Sequence, residues 1–333
     1  MKSVIVNPFT PIPKSDKSHV RGWAIVWAQR LSADIATKDT DLSSYEKIYI
    51  DHGVNFSGAM NLFGGFTDDI VDRLNSMIES VNKSAKLYSL DWHIHDCNYV
   101  DQIEKRIGAK TTSERVDFDF LVDIEELLSQ AKKLTMGSLD LPGMILGDSH
   151  SVAYSNQNQM IKRINGQTLY SAMKQGLYEW ILNNSMGFET TNLETIELCL
   201  GSIDIRFHAL QQDRWSAKEF AQKYAQQVIS AQDEMNMQIN VCAPVPIEFE
   251  ERRIPKTGQY KGVNFNGSRQ ERLDYTLKFI EELDNYCCDF DLIMPPKEWY
   301  EMNGEQYAKD IMELSSSVHI APRNYRSTLG WSQ

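Results

Sequence analysis

Asp148, Ser149 and His150 follow one another where an apolar run ends, in MILGDSHSVAYS. A carboxylate, a hydroxyl and an imidazole are the working groups of acid–base and nucleophilic catalysis. A serine hydroxyl is a weak nucleophile until a base within hydrogen-bond reach takes its proton. Residues 143–147 predict a buried strand, Gly147-Asp148-Ser149 a turn, and 150–161 a helix. Ser149 then sits at a helix N-terminus, where exposed N–H groups and the helix dipole favour negative charge. Its own N–H becomes a candidate donor to an oxyanion. Ligands also collect at the carboxyl ends of strands in open parallel sheets. A triplet of this kind taken alone is more often a helix cap, with Asp148 or Ser149 satisfying the first amides.

Other polar groups fall at strand ends. In GSIDIRFHA, an extended segment would put Asp204, Arg206 and His208 on one face. The arginine fork suits a phosphate or carboxylate, although a structural ion-pair cluster fits the same pattern. SLDWHIHDC alternates Asp91, His93 and His95, conceivable as a metal site or simply a strand end meeting solvent. The loop in YIDHGVNFSGAMNLFGG offers Asn55, Ser57, Gly58, Asn61, Gly64 and Gly65, whose backbone amides could hold phosphate. It is no GxGxxG fingerprint, and turn chemistry alone explains it as well. Arg252, Arg253, Lys256, Lys261 and Arg269 form the one basic patch, read as a lid or as an anion-binding stretch. Trp23 and Trp27, four apart, read as core.

The elements that must position these groups alternate. Strands are expected at KSVIVNP, YEKIYID and AKLYSLDW, with helices over VRGWAIVWAQRLSADI and TDDIVDRLNSMIESVNKS. After the Gly- and Pro-bearing LTMGSLDLPGMILGD the pattern restarts. It runs through strand 143–147, helix 150–161, a short strand near IKRING, helix 168–182, TIELCLGSID, helix 216–233 and MQINVCAPVP. Helix 269–286, strand DFDLIMP and helix 304–313 complete it. Strand–helix alternation implies parallel sheets, here two Rossmann-like or flavodoxin-like α/β domains over 1–138 and 139–333.

ILGDSHS resembles the first block of the SGNH, or GDSL, hydrolase superfamily. Further pieces follow in order over about residues 140 to 325: Gly166 in KRINGQTLY, Gly201 in CLGSIDIRFHA, and His319 in SSSVHIAP. The resemblance implies an SGNH-like C-terminal domain, with Ser149 as nucleophile, Gly166 at the oxyanion hole and His319 as base. Two departures stand out. Ile203 occupies the place of the family's oxyanion-hole asparagine, and Ser316 that of the aspartate three residues before the histidine. Asp148 and Asp204 are then the candidate orienting carboxylates. Arg206 and His208, with Gly201 beside them, would bind an anionic part of the substrate. The loop at Asn55, Gly58 and Gly64 more distantly resembles the "NFFGG"-like loop of phage DNA glucosyltransferases. That likeness implies an alternative, a transferase using a nucleotide sugar, with DNA as a conceivable acceptor. A binding protein on a degenerate SGNH scaffold is a third reading.

The chain has 333 residues, 42% hydrophobic and 24% charged, the composition of a soluble globular protein with room for two domains. A net charge of -12 argues against global attraction to nucleic acid. Five cysteines, two adjacent and none in CxxC spacing, fit reduced thiols. No secretory signal and no membrane span are expected, so a cytoplasmic location is expected. The SGNH chemistry requires no metal or organic cofactor, and the partner expected is a small-molecule or carbohydrate ester.

Overall fold

The computed structural model describes residues 2–6, 22–36, 40–51, 80–82, 84–91, 132–135, 141–164, 166–185, 193–211, 215–246, 260, 262–312 and 318–331. The chain divides into two units, Met1–Leu139 and Asp140–Gln333. Each contains one parallel sheet of five strands, so the class is α/β with two flavodoxin-like domains.

In the first unit the strands are β1 (Ser3–Val6), β2 (Asp34–Ile35), β3 (Lys47–Asp51), β4 (Lys86–Asp91) and β5 (Lys132–Thr135). Their order across the sheet is β2-β1-β3-β4-β5. Helix α1 (Gly22–Leu31) lies against β1 and buries Val26 and Trp27. The expected helix through residue 35 is therefore too long. Ser32 turns the chain at φ 48°, which frees Asp34 and Ile35 to pair with Val4 and Ile5. β5 is not expected from the sequence, since KKLT shows neither alternation nor an apolar run. Asn55, Ser57, Gly58, Asn61, Gly64, Gly65, His93 and His95 lie outside the described residues, as do the Asp91 and Trp23 side chains.

The second unit repeats the order. Its strands are β6 (Gly143–Gly147), β7 (Gln159–Arg163), β8 (Thr195–Cys199), β9 (Gln238–Cys242) and β10 (Leu292–Ile293). They run β10-β9-β8-β6-β7, which is the first sheet's arrangement read from the other edge. Met144, Ile145, Leu146, Ile196, Leu198, Ile239 and Val241 are all fully buried. β6 has the unbroken apolar run expected of a strand covered on both faces. β8 and β9 alternate instead, and bury the polar Glu197 and Asn240 on their second face. The strand order reverses between β6 and β8, the switch point where such sheets open a crevice.

Ten α-helices are described, α1 and nine in this unit. These nine are α2 (Ser151–Tyr154), α3 (Leu169–Gln175), α4 (Leu177–Ser185), α5 (Ser202–Phe207), α6 (Ala217–Met235), α7 (Arg269–Asp284), α8 (Glu298–Glu301), α9 (Gly304–Asp310) and α10 (Arg326–Leu329). α6 and α7 each begin with a reciprocal cap, Ser216 with Glu219 and Ser268 with Glu271. They pack on each other, and α6 buries Phe220, Tyr224 and Val228. No described helix is long and apolar enough to cross a membrane.

Two expected elements differ in ways that matter for the site. The helix expected over 150–161 is a single turn, α2. Beyond it the Asn156 side chain accepts from the Asn158 N–H at 2.8 Å, and the Gln159 side chain accepts from the Asn156 N–H at 2.9 Å. These local bonds compete with the helix and turn the chain into β7. The segment after β8 is helical, not extended: Gly201 takes a left-handed φ of 103° and starts α5.

A methyl group at Gly147 would stand 2.0 Å from the Cys199 carbonyl oxygen of β8. Gly147→Ala is expected to force β6 and β8 apart and to cost about 3 kcal/mol. Urea unfolding measures this, and a loss near zero would show that the two strands are not this close.

Candidate active site

Ser149 leaves the sheet at the switch point. The Asp148 N–H donates to the Cys199 carbonyl at 2.9 Å, the Ile164 N–H donates to the Gly147 carbonyl at 2.7 Å, and the chain turns into α2. Asp148 is fully buried and Ser149 half-buried. No hydrogen bond among the described residues engages the Ser149 hydroxyl. The Ser151 hydroxyl, by contrast, donates to the Asp148 carbonyl at 2.8 Å and so belongs to the turn.

His150, to which the motif assigns no role, is the hub of this turn. The residue is 2% exposed. Its N–H donates to Asp148 Oδ1 at 2.8 Å, and its Nδ1 lies 3.3 Å from the same oxygen. Its Nε2 lies 2.7 Å from the Val318 carbonyl oxygen and 3.1 Å from Arg206 Nη2. These two neighbours make opposite demands on one nitrogen, since a carbonyl needs a donor and a guanidinium needs an acceptor. The 2.7 Å contact is the shorter, and we take Nε2–H···O=C to Val318 as the hydrogen bond. Asp148 Oδ2 is buried and has no hydrogen-bond partner among the described residues.

Through Val318 the turn holds the neighbour of His319. The imidazoles of His150 and His319 stand 5.6 Å apart, centroid to centroid, at 50°. The segment carrying His319 is fixed on its C-terminal side. Ile320 bridges Met312 in antiparallel fashion, and the Ala321 N–H donates to the Ile311 carbonyl at 2.8 Å. Further on, Arg326 of α10 grips both carboxylate oxygens of Glu197 on β8, at 2.8 and 3.0 Å, inside the protein. Trp331 packs edge-on to Tyr154 of α2 at 4.9 Å. His319 is far from Ser149 along the chain, and these anchors bring its segment to the serine turn.

The remaining candidates separate. On α5 successive residues turn by about 100°, so Asp204 and Arg206 leave on nearly opposite sides while Asp204 and His208 share one. Arg206 is 3% exposed and points to His150, so the fork expected for a substrate anion lies inside the protein. Asp204 accepts from the N–H groups of Leu169 at 2.7 Å and Tyr170 at 3.0 Å, so its carboxyl caps α3. His208 Nε2 lies 3.2 Å from the Tyr260 hydroxyl. Gly166 lies in the turn between β7 and α3 with φ 75°, and Ile203 is buried on α5. Ser316, Arg252, Arg253, Lys256 and Lys261 lie outside the described residues, while Arg269 donates to the Met302 carbonyl at 3.0 Å. No group of three or more metal-ligating side chains occurs among the described residues.

No protein-family model matches the chain, and no curated protein matches it in sequence. Among solved structures, an acetyl xylan esterase, AlAXEase, is similar at 16% identity and a TM-score of 0.32. The likeness covers 50% of this chain and 84% of that one. A second solved structure is similar at 12% identity and a TM-score of 0.32, over 56% of this chain and 92% of its own. Neither likeness adds to the reading of the site.

Burial pushes the Asp204 carboxyl up to about 7, against the downward pull of the two α3 amides. A carboxyl raised in the folded state stabilises the fold most below its ordinary value of 3.8, and that contribution is lost as pH rises toward 7. Asp204→Asn removes the dependence. The stability of wild type relative to this variant is expected to fall by on the order of 4 kcal/mol across that window. Unfolding measured at both ends checks it, and a constant difference would refute it.

Proposed function

We propose that the C-terminal unit is an SGNH-type hydrolase or acyl transferase acting on an ester or activated acyl group. The observation that carries the reading is the docking of the Val318–His319 segment on the turn that bears Ser149. His150 is poorly suited to be the base, because both its ring nitrogens face protein partners. His319, half-buried beside it, is the better candidate.

In this mechanism the Ser149 hydroxyl attacks the acyl carbon while His319 takes its proton. The N–H groups of Ser149 and Gly166 stabilise the oxyanion. His319 returns the proton to the departing alcohol, which leaves an acyl-Ser149 ester. Water or an acceptor hydroxyl, deprotonated by His319, then attacks that ester and releases the serine. Ile203 supplies no donor where the family's asparagine would, a deficit worth about 3 kcal/mol of transition-state stabilisation. Activated acyl groups, which need less help, are therefore favoured over plain esters. Asp148 acts on the base indirectly: it orients His150, which holds Val318 beside His319. The substrate suggested is a small-molecule or carbohydrate ester.

Hydrolysis of p-nitrophenyl acetate tests the proposal. Ser149→Ala is expected to fall to background, and His319→Ala to lose about 10³-fold in kcat/KM. Unchanged activity in Ser149→Ala would overturn the assignment. Tight binding of a nucleotide sugar without any esterase activity would point to glycosyl transfer instead.

A further inference from the structure

We propose that a cavity on the other side of α5 binds an alkylated ammonium group. The cavity measures about 170 Å³. An engineered cavity of about 150 Å³ admits one benzene ring, so this one holds a single small group. Tyr170, Trp215, Phe220 and Tyr275 line it, with the Asp204 carboxyl among them. Because Asp204 and Arg206 leave α5 in nearly opposite directions, the cavity is separate from the His150 cluster. The inference does not depend on the acyl chemistry.

The arrangement of rings and polar atoms selects the ligand. Tyr170 and Trp215 stand 5.5 Å apart at 55°, and Trp215 and Phe220 stand 5.4 Å apart at 47°. Inclined rings make a box, which suits a compact cation better than the flat platform a sugar ring stacks on. Three of the polar groups that line it are already engaged. Asp204 accepts two amides, the Tyr275 hydroxyl donates to the Trp215 carbonyl at 3.1 Å, and His208 meets Tyr260. A sugar would enter with several hydroxyls and few partners, each unmatched group costing free energy. A quaternary ammonium has no hydrogen bonds to satisfy and gains from the ring faces and, above about pH 7 where Asp204 is ionised, from its carboxylate. Lys223 Nζ covers one face of Trp215, 3.9 Å from its ring centre, so a ligand cation would use the ring's other face. The net charge of -12 also favours a cation.

Calorimetric titration of the full chain with choline chloride at about pH 8.5, where Asp204 is ionised, tests this, with 3,3-dimethyl-1-butanol as the uncharged isostere and glucose as the sugar. Saturable choline binding is expected, with the isostere weaker by about tenfold. Asp204→Asn and Tyr170→Ala should each weaken choline by a similar factor. Tyr170 is 38% exposed, so its truncation leaves the core intact and keeps the test valid if the Asp204 variant fails to fold. No saturable binding to the folded protein, equal affinity for the isostere, or preference for glucose would each overturn the proposal.

Discussion

The missing side chain at Gly147 is the constraint from which the site follows. Without a Cβ there, the Cys199 carbonyl can approach β6 and accept the Asp148 N–H. The chain then turns sharply at the switch point, with Asp148 buried and Ser149 half-buried at the edge. A bulkier residue would move the turn, and with it the three side chains that follow.

The second requirement is a hold on the C-terminal segment. Glu197 in the middle of β8 would be costly alone in a buried sheet, and Arg326 satisfies it with both carboxylate oxygens. The same pair ties the end of the chain to the sheet. His150 supplies a second tie through Val318. A buried histidine next to a serine thus has a structural task, and it holds the Val318–His319 segment so that the second imidazole stands 5.6 Å from its own.

The second sheet is legible in the sequence because Met144–Leu146 is an apolar run and Ile196, Leu198, Ile239 and Val241 fall at alternate positions of two short strands. The turn at Ser149 can be read from motif spacing. The helical state of Ser202–Phe207 cannot, since a six-residue segment of mixed polarity fits either period. Reading that segment as extended puts Asp204, Arg206 and His208 on one face, where the helix divides them. The role of His150 is hidden because its partners, Val318 and Arg206, are distant in sequence. Contacts of that kind become readable only when the fold brings the segments together.

The most direct measurement is phosphorus NMR on the protein phosphonylated at its reactive serine. The account predicts one adduct on Ser149 whose resonance titrates with a nearby imidazole, a titration abolished in His319→Gln. An adduct whose titration survives in His319→Gln, or no adduct on the folded protein, would contradict it.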